Sequence, residues 1–211
     1  MFEVEYKGAN CIVVSSKKAS IVIDPKLSLV GLKDAPVKEA IELATEARFA
    51  VKSDDAKLLI EGPGEYGIAD FDIRGVAAQR HLDTETDPKA STIYRIETPE
   101  LRLAVVGNIY EKLDETQLEA IGVVDILAIP VGGNGYTLDP TGAATIVRQI
   151  EPKIVIPVHY ADGALKYEVP QGDLEPFITE LGAPVEETSK LKLKNSSALP
   201  AVLTVFKLTR N

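Results

Sequence analysis

EPKIVIPVHY, residues 151–160, is the stretch on which the reading of the fold turns. Its centre is an unbroken apolar run that stops on His159, the pattern of a strand buried on both faces. The residues before it, PTGAATIVRQI (140–150), carry a proline near the first turn and predict a helix. Further upstream, DILAIPV (125–131) is a second fully apolar strand, and LDETQLEAIG (113–122) has the acidic start and glycine stop of a helix. Downstream, GDLEPFITELG (172–182) reads as a last helix bounded by glycines, and AVLTVFKL (201–208) as a last strand. Strands and helices that alternate in this way predict a sheet covered by helices.

The N-terminal half has a different rhythm. FEVEY, CIVVSS and SIVIDP alternate as a meander ending at Asp24. Residues 36–51, PVKEAIELATEARFAV, hold an apolar segment whose periodicity leaves helix and strand both open. KLLIE (57–61), a turn at GPG, and FDIRGVAA (71–78) read as strand, turn and strand. HLDTETDPKAS (81–91) is a polar loop long enough to be functional. STIYRIE (91–97) and LRLAVVG (101–107) then form a pair joined by TPE. With no low-complexity linker and no short repeat, the chain reads as one α/β domain over residues 1–211.

Composition narrows the function. A net charge of −9 opposes a sequence-independent grip on nucleic acid, which needs clustered Lys and Arg, and disfavours a membrane surface likewise. No apolar run approaches the roughly 20 residues of a membrane-spanning helix. A single cysteine, Cys11, cannot form an internal disulfide, and the N-terminus lacks a signal-peptide pattern, so a cytoplasmic location is expected.

Several catalytic patterns are absent or misplaced. GPGEYG has the glycine spacing of a dinucleotide fingerprint, but the chain continues as a strand where that motif needs a helix N-terminus. GGNG (132–135) lacks the Lys-Ser/Thr of a P-loop and reads as a strand-end loop fit to form the wall of a site. No serine sits in a GxSxG elbow, and Cys11 reads as a small buried hydrophobe. The two histidines, His81 and His159, remain as candidate ligands, and strand ends are a common place to build such a site.

Taken together, the series KGANCIVVSSKKASIVIDP, GPGEYGI, FDIRGV, STIYRIE, LRLAVVGN, VDILAIPVGG and AATIVRQIEPKIVIPVHY resembles the metallo-β-lactamase superfamily. The PGEY and EPKIVIPVHY elements are closest to a branch of short predicted metal-dependent hydrolases that lies near the ascorbate-phosphate lactonases. The resemblance implies an αββα four-layer sandwich with a metal site at one edge. It implies ligands in an HxHxDH segment, a further mid-chain histidine, a bridging aspartate after a glycine, and a last histidine after an apolar strand. His159 matches the last of these, and Asp24 matches a position that supports the site without itself binding metal.

Elsewhere the chain departs from the pattern. After LAT, ungapped placement puts Glu46 and Arg48 at two histidine positions, Ala50 at the aspartate and Val51 at the next histidine. Asn108 follows Gly107 where the bridging aspartate belongs. Arg48 is permanently charged and repels a cation, and Asn108 brings no negative charge. The expectation is therefore a degenerate, metal-free site in a non-catalytic or binding protein, with Arg48 paired to Glu46 or Asp24 in the space of the lost ions. The alternative is a hydrolase with a rebuilt mononuclear zinc or manganese site, drawn from His159, His81 and a carboxylate such as Asp83 or Glu46. A small molecule or a protein is the expected partner, and self-association is left open.

Overall fold

A computed structural model of the chain describes residues 1–82 and 90–211. Its strands form two sheets. The six-stranded sheet contains β1 (Phe2–Gly8), β2 (Cys11–Ser15), β3 (Ser20–Ile23), β4 (Ile41–Leu43), β5 (Leu58–Ile60) and β13 (Leu191–Leu193), in the order β13-β1-β2-β3-β4-β5. The eight-stranded sheet contains β6 (Gly64–Ile68), β7 (Phe71–Ala78), β8 (Ser91–Glu97), β9 (Arg102–Val105), β10 (Ile126–Pro130), β11 (Ile154–Val158), β12 (Val185–Thr188) and β14 (Thr204–Leu208). Its order is β12-β14-β11-β10-β9-β8-β7-β6.

Alternation decides which side of each strand meets the core. Phe2, Val4 and Tyr6 of β1, Ile12 and Val14 of β2, and Ile21 and Ile23 of β3 turn inward. They meet Ile126 and Ala128 of β10 and Ile154, Ile156 and Val158 of β11 from the other sheet, so the two sheets pack face to face. The opposite faces of β10 and β11 carry Leu127, Ile129 and Val155, which are buried under helices α1 (Glu115–Ile121), α2 (Pro140–Ile150) and α3 (Glu175–Leu181). Burial on both faces explains why these two parallel strands are apolar throughout. This is the αββα sandwich expected from the sequence. On the far side, one turn of 3-10 helix (Leu27–Val30) and residues 35–40 cover Cys11 and Val22, so that outer layer is thin.

Local signals set the helix ends. Asp114 caps α1 in a reciprocal box with Gln117, and Asp139 caps α2 by accepting from the Gly142 amide, with Pro140 at the first helical position. Gly182 closes α3 in the left-handed conformation.

Three segments differ from the sequence reading. GPG is not the hairpin turn: Gly62 and Pro63 carry the chain from one sheet to the other, GEYGI is strand β6, and Ala69-Asp70 turns it into β7. The two glycines of β6 masked the inward alternation of Tyr66 and Ile68. The ambiguous 36–51 region becomes the short strand β4 followed by a 3-10 turn at Ala47–Phe49. VEET (β12) was legible as neither strand nor helix because it is an exposed, acidic edge, the usual guard against edge-to-edge pairing.

Candidate functional site

Where β1 turns into β2 and where β3 and β11 end, three non-glycine residues take left-handed backbone angles: Ala9 (φ 47), Asp24 (φ 50) and His159 (φ 52). Each such residue costs about 1–3 kcal/mol, and strain of this kind persists where the surrounding structure enforces it, commonly at functional sites. All three line one cavity of about 120 Å³ at the edge of the sandwich.

β14 pairs with β11 only as far as Val155, so the end of β11 is released from that neighbour. The His159 amide then donates to the Ala9 carbonyl at 2.8 Å, which swings the ring into the cavity. The ring is 3% exposed. Tyr136 stacks on it at 5.5 Å and 14°, and Tyr167 tilts against it at 4.8 Å. Nδ1 lies 3.2 Å from Gln171 Oε1. Because Gln171 Nε2 donates to the Val169 carbonyl, Oε1 is an acceptor here and the ring proton is placed on Nδ1. Burial pushes the His159 pKa down to about 4, against the opposing pull of Gln171. Gln171, twelve residues downstream, is the group that orients the ring.

Asp24 faces a different task. Its carboxylate accepts from the Thr45 amide at 2.7 Å and from the Thr45 hydroxyl at 2.6 Å. Burial pushes its pKa up to about 7, with the two Thr45 bonds pulling the other way. Arg48 therefore pairs with Glu46 and not with Asp24. Arg48 Nε donates to Glu46 Oε2 at 2.9 Å, and Arg80 Nη1 approaches the same oxygen at 3.5 Å. Glu46 is 3% exposed, and burial raises its pKa against both arginines. The Arg48 guanidinium lies over Phe49 at 4.7 Å and over Tyr136 at 5.5 Å, so rings from two segments fix its plane.

Asn108 is almost fully buried and accepts from Asn10 Nδ2 at 2.9 Å. That single bond leaves Asn10 Oδ1 and Asn108 Nδ2 without partners among the described residues. His81 joins this loop through its backbone, donating its amide to the Asn108 carbonyl at 2.9 Å, but it is not among the residues lining the cavity. Its Nδ1 is unpartnered among the described residues. Asp83 lies outside the described residues.

The sequence-derived set thus divides. Asp24, Arg48 and His159 converge on the cavity, with Glu46 behind Arg48 and Asn108 behind Asn10. Lys26, Tyr136, Tyr167 and Gln171 also line it and were not singled out from the sequence. Only Tyr136 had a signal, the GGNG loop that precedes it.

The donor set can be tested against a metal ion. Among the described residues no group of three His, Cys, Asp or Glu side chains is placed to hold one. Glu46 is engaged by two arginines, Asp24 by Thr45, and His159 Nδ1 by Gln171. The described residues do not fit the ion.

The beta-lactamase superfamily domain matches residues 3–159. The chain belongs to that family. A protein from Lysinibacillus sphaericus (strain C3-41) named UPF0173 metal-dependent hydrolase is 27% identical over 194 residues, covering 75% of this chain and 85% of its own. One of the same name from Thermococcus onnurineus (strain NA1) is 28% identical over 138 residues, and the match spans 61% of that relative's length. Among solved structures, a metallo-beta-lactamase superfamily protein from Thermotoga maritima superposes with a TM-score of 0.78 at 20% identity, covering 99% of this chain and 100% of that one. Igni18 from Ignicoccus hospitalis KIN4/I, described as a metallo hydrolase, gives 0.67 at 15% identity, over 99% and 95%. These likenesses establish the family and the fold. No helix among the described residues is long and apolar enough to cross a membrane.

The two perturbed groups predict opposite pH dependences of stability. Asp24 is raised from 3.8 to about 7, so the native state holds its proton across that range and stability falls as pH rises through it. His159 is lowered from 6.5 to about 4, so the unfolded state holds the extra proton and stability falls as pH drops through that range. The slopes oppose each other in the wild type. In urea unfolding at about pH 4.5 and 6.5, Asp24→Asn is expected to be less stable at the lower pH and His159→Gln more stable there. Identical pH profiles for the two variants would contradict these assignments.

Proposed function

We propose that this member of the beta-lactamase superfamily is a metal-free, non-hydrolytic protein that uses the former metal cleft to bind a ligand. The observation that carries the reading is the Glu46–Arg48 pair at the cavity. A guanidinium and its buried counter-ion stand where the family resemblance places two ligand histidines. The convergence of three left-handed non-glycine residues, Ala9, Asp24 and His159, on this one cavity supports a cleft kept for a purpose.

A second reading has its own support. Relatives are named metal-dependent hydrolases, His81 Nδ1 is unpartnered among the described residues, and Asp83 follows it closely. In that reading a mononuclear zinc or manganese centre would use His159, His81 and Asp83 and would supply an activated water when metal is bound. Buried, neutral His159 would act as ligand through the nitrogen that Gln171 leaves open.

A metal-titrated activity screen on phosphodiester, lactone and thioester substrates separates the two. The proposal expects no turnover above background with zinc or manganese. Turnover that requires added metal and disappears in His159→Ala would establish the hydrolase reading instead.

A further inference from the structure

We infer that the cleft takes a single-ring aromatic monocarboxylate, with its acid group held by Arg48 and Lys26. The inference rests on the metal-free binding role proposed above and names the ligand class.

Size comes first. The cavity of about 120 Å³ is close to the roughly 150 Å³ of an engineered protein cavity that accepts benzene, so it admits one ring and not a nucleotide. The walls suit a ring. Phe49, Tyr136 and Tyr167 contribute aromatic side chains to the lining, and Leu27, Val30 and Val169 contribute aliphatic ones.

Charge sets the polar end. Glu46 occupies the Nε edge of Arg48, and no carboxylate among the described residues contacts its Nη1. Lys26 also lines the cavity, half-buried, and has no ion pair among the described residues. Asp24 in the same lining keeps its proton up to about pH 7, so Lys26 and the free Nη1 edge of Arg48 are left to meet an anion, and a guanidinium suits the two oxygens of a carboxylate. Glu168, exposed in the same lining, opposes a second negative charge.

The test is calorimetric titration of the whole protein, stripped with chelator, gel-filtered and assayed for metal content. The probes are 4-hydroxybenzoate, benzoate, 4-hydroxybenzyl alcohol and benzylamine. Binding of 4-hydroxybenzoate and of benzoate with Kd below about 1 mM is expected, with the alcohol and amine at least about 10-fold weaker. Arg48→Met is expected to weaken 4-hydroxybenzoate by about 10-fold or more. Should that variant unfold, Lys26→Met, which breaks no ion pair, is expected to weaken it several-fold with an unchanged melting temperature. Equal binding of the alcohol or amine overturns the inference, and so does the absence of binding by metal-free protein. Stoichiometric metal that survives chelation, with binding that depends on it, overturns the metal-free reading as well.

Discussion

Gly132→Ala is expected to lower stability by about 2–4 kcal/mol, a fall of about 5–15 °C in melting temperature for a chain of this size. A Cβ on Gly132 would collide with the His159 carbonyl oxygen and with Gln171 Oε1, and would stand 2.9 Å from Gln171 Cβ. The first of these is backbone held in place, because the His159 amide is bound to Ala9 and the Gly132 carbonyl accepts from Gly172 at 2.7 Å. Relief therefore has to come from moving the 159–161 segment or expelling Gln171, and either releases the His159 ring. Near-ultraviolet circular dichroism from Tyr136 and Tyr167 is expected to change together with the melting temperature. Gly62→Ala is the control, since its backbone is ordinary and nothing lies within 4 Å of the added carbon. Equal stability of the two variants would contradict the packing described for this loop.

The Glu46–Arg48 pair is expected to show strong coupling. Glu46 is 3% exposed, whereas Arg48 is 40% and Arg80 26% exposed, so the glutamate bears most of the desolvation. Fully buried pairs cost about 3–5 kcal/mol when one partner is removed. With Arg48 partly hydrated and Arg80 still near, Arg48→Met is expected to cost about 2 kcal/mol at neutral pH. Glu46 in that variant loses the group that most opposes burial, so its pKa rises further and the lost stability returns as pH falls through it. Glu46→Gln is expected to cost about 1–2 kcal/mol. The double variant Glu46→Gln/Arg48→Met removes both charges and is expected to lie within about 1 kcal/mol of the wild type. Additive losses in urea unfolding would show that the two side chains do not act as a pair.

Legibility from the sequence followed physical cause. Strands β10 and β11 and helix α2 were readable because parallel strands covered on both faces are apolar throughout, and because Asp139-Pro140 starts a helix in a way few other sequences do. Strand β6 was not, since its glycines carry no side chains to reveal a pattern, and β12 was not, since an edge strand with glutamates buries nothing. The same division holds in the cleft. Glu46 and Arg48 are two residues apart, so their pairing followed from proximity along the chain. Which of two acids Arg48 would choose did not, because it depends on Thr45 reaching Asp24 first. Gln171, Lys26 and Asn10 reach the cavity by tertiary folding from three separate loops, and no local pattern marks them.

In the proposed reading Arg48, held by Glu46, stands where a metal would otherwise bind. The most direct measurement is elemental analysis of purified protein incubated with excess zinc or manganese and then gel-filtered. Less than about 0.1 metal ion per chain is expected, because the described donors are committed to Arg48, Arg80, Thr45 and Gln171. One metal ion per chain, lost in His159→Ala, would contradict it.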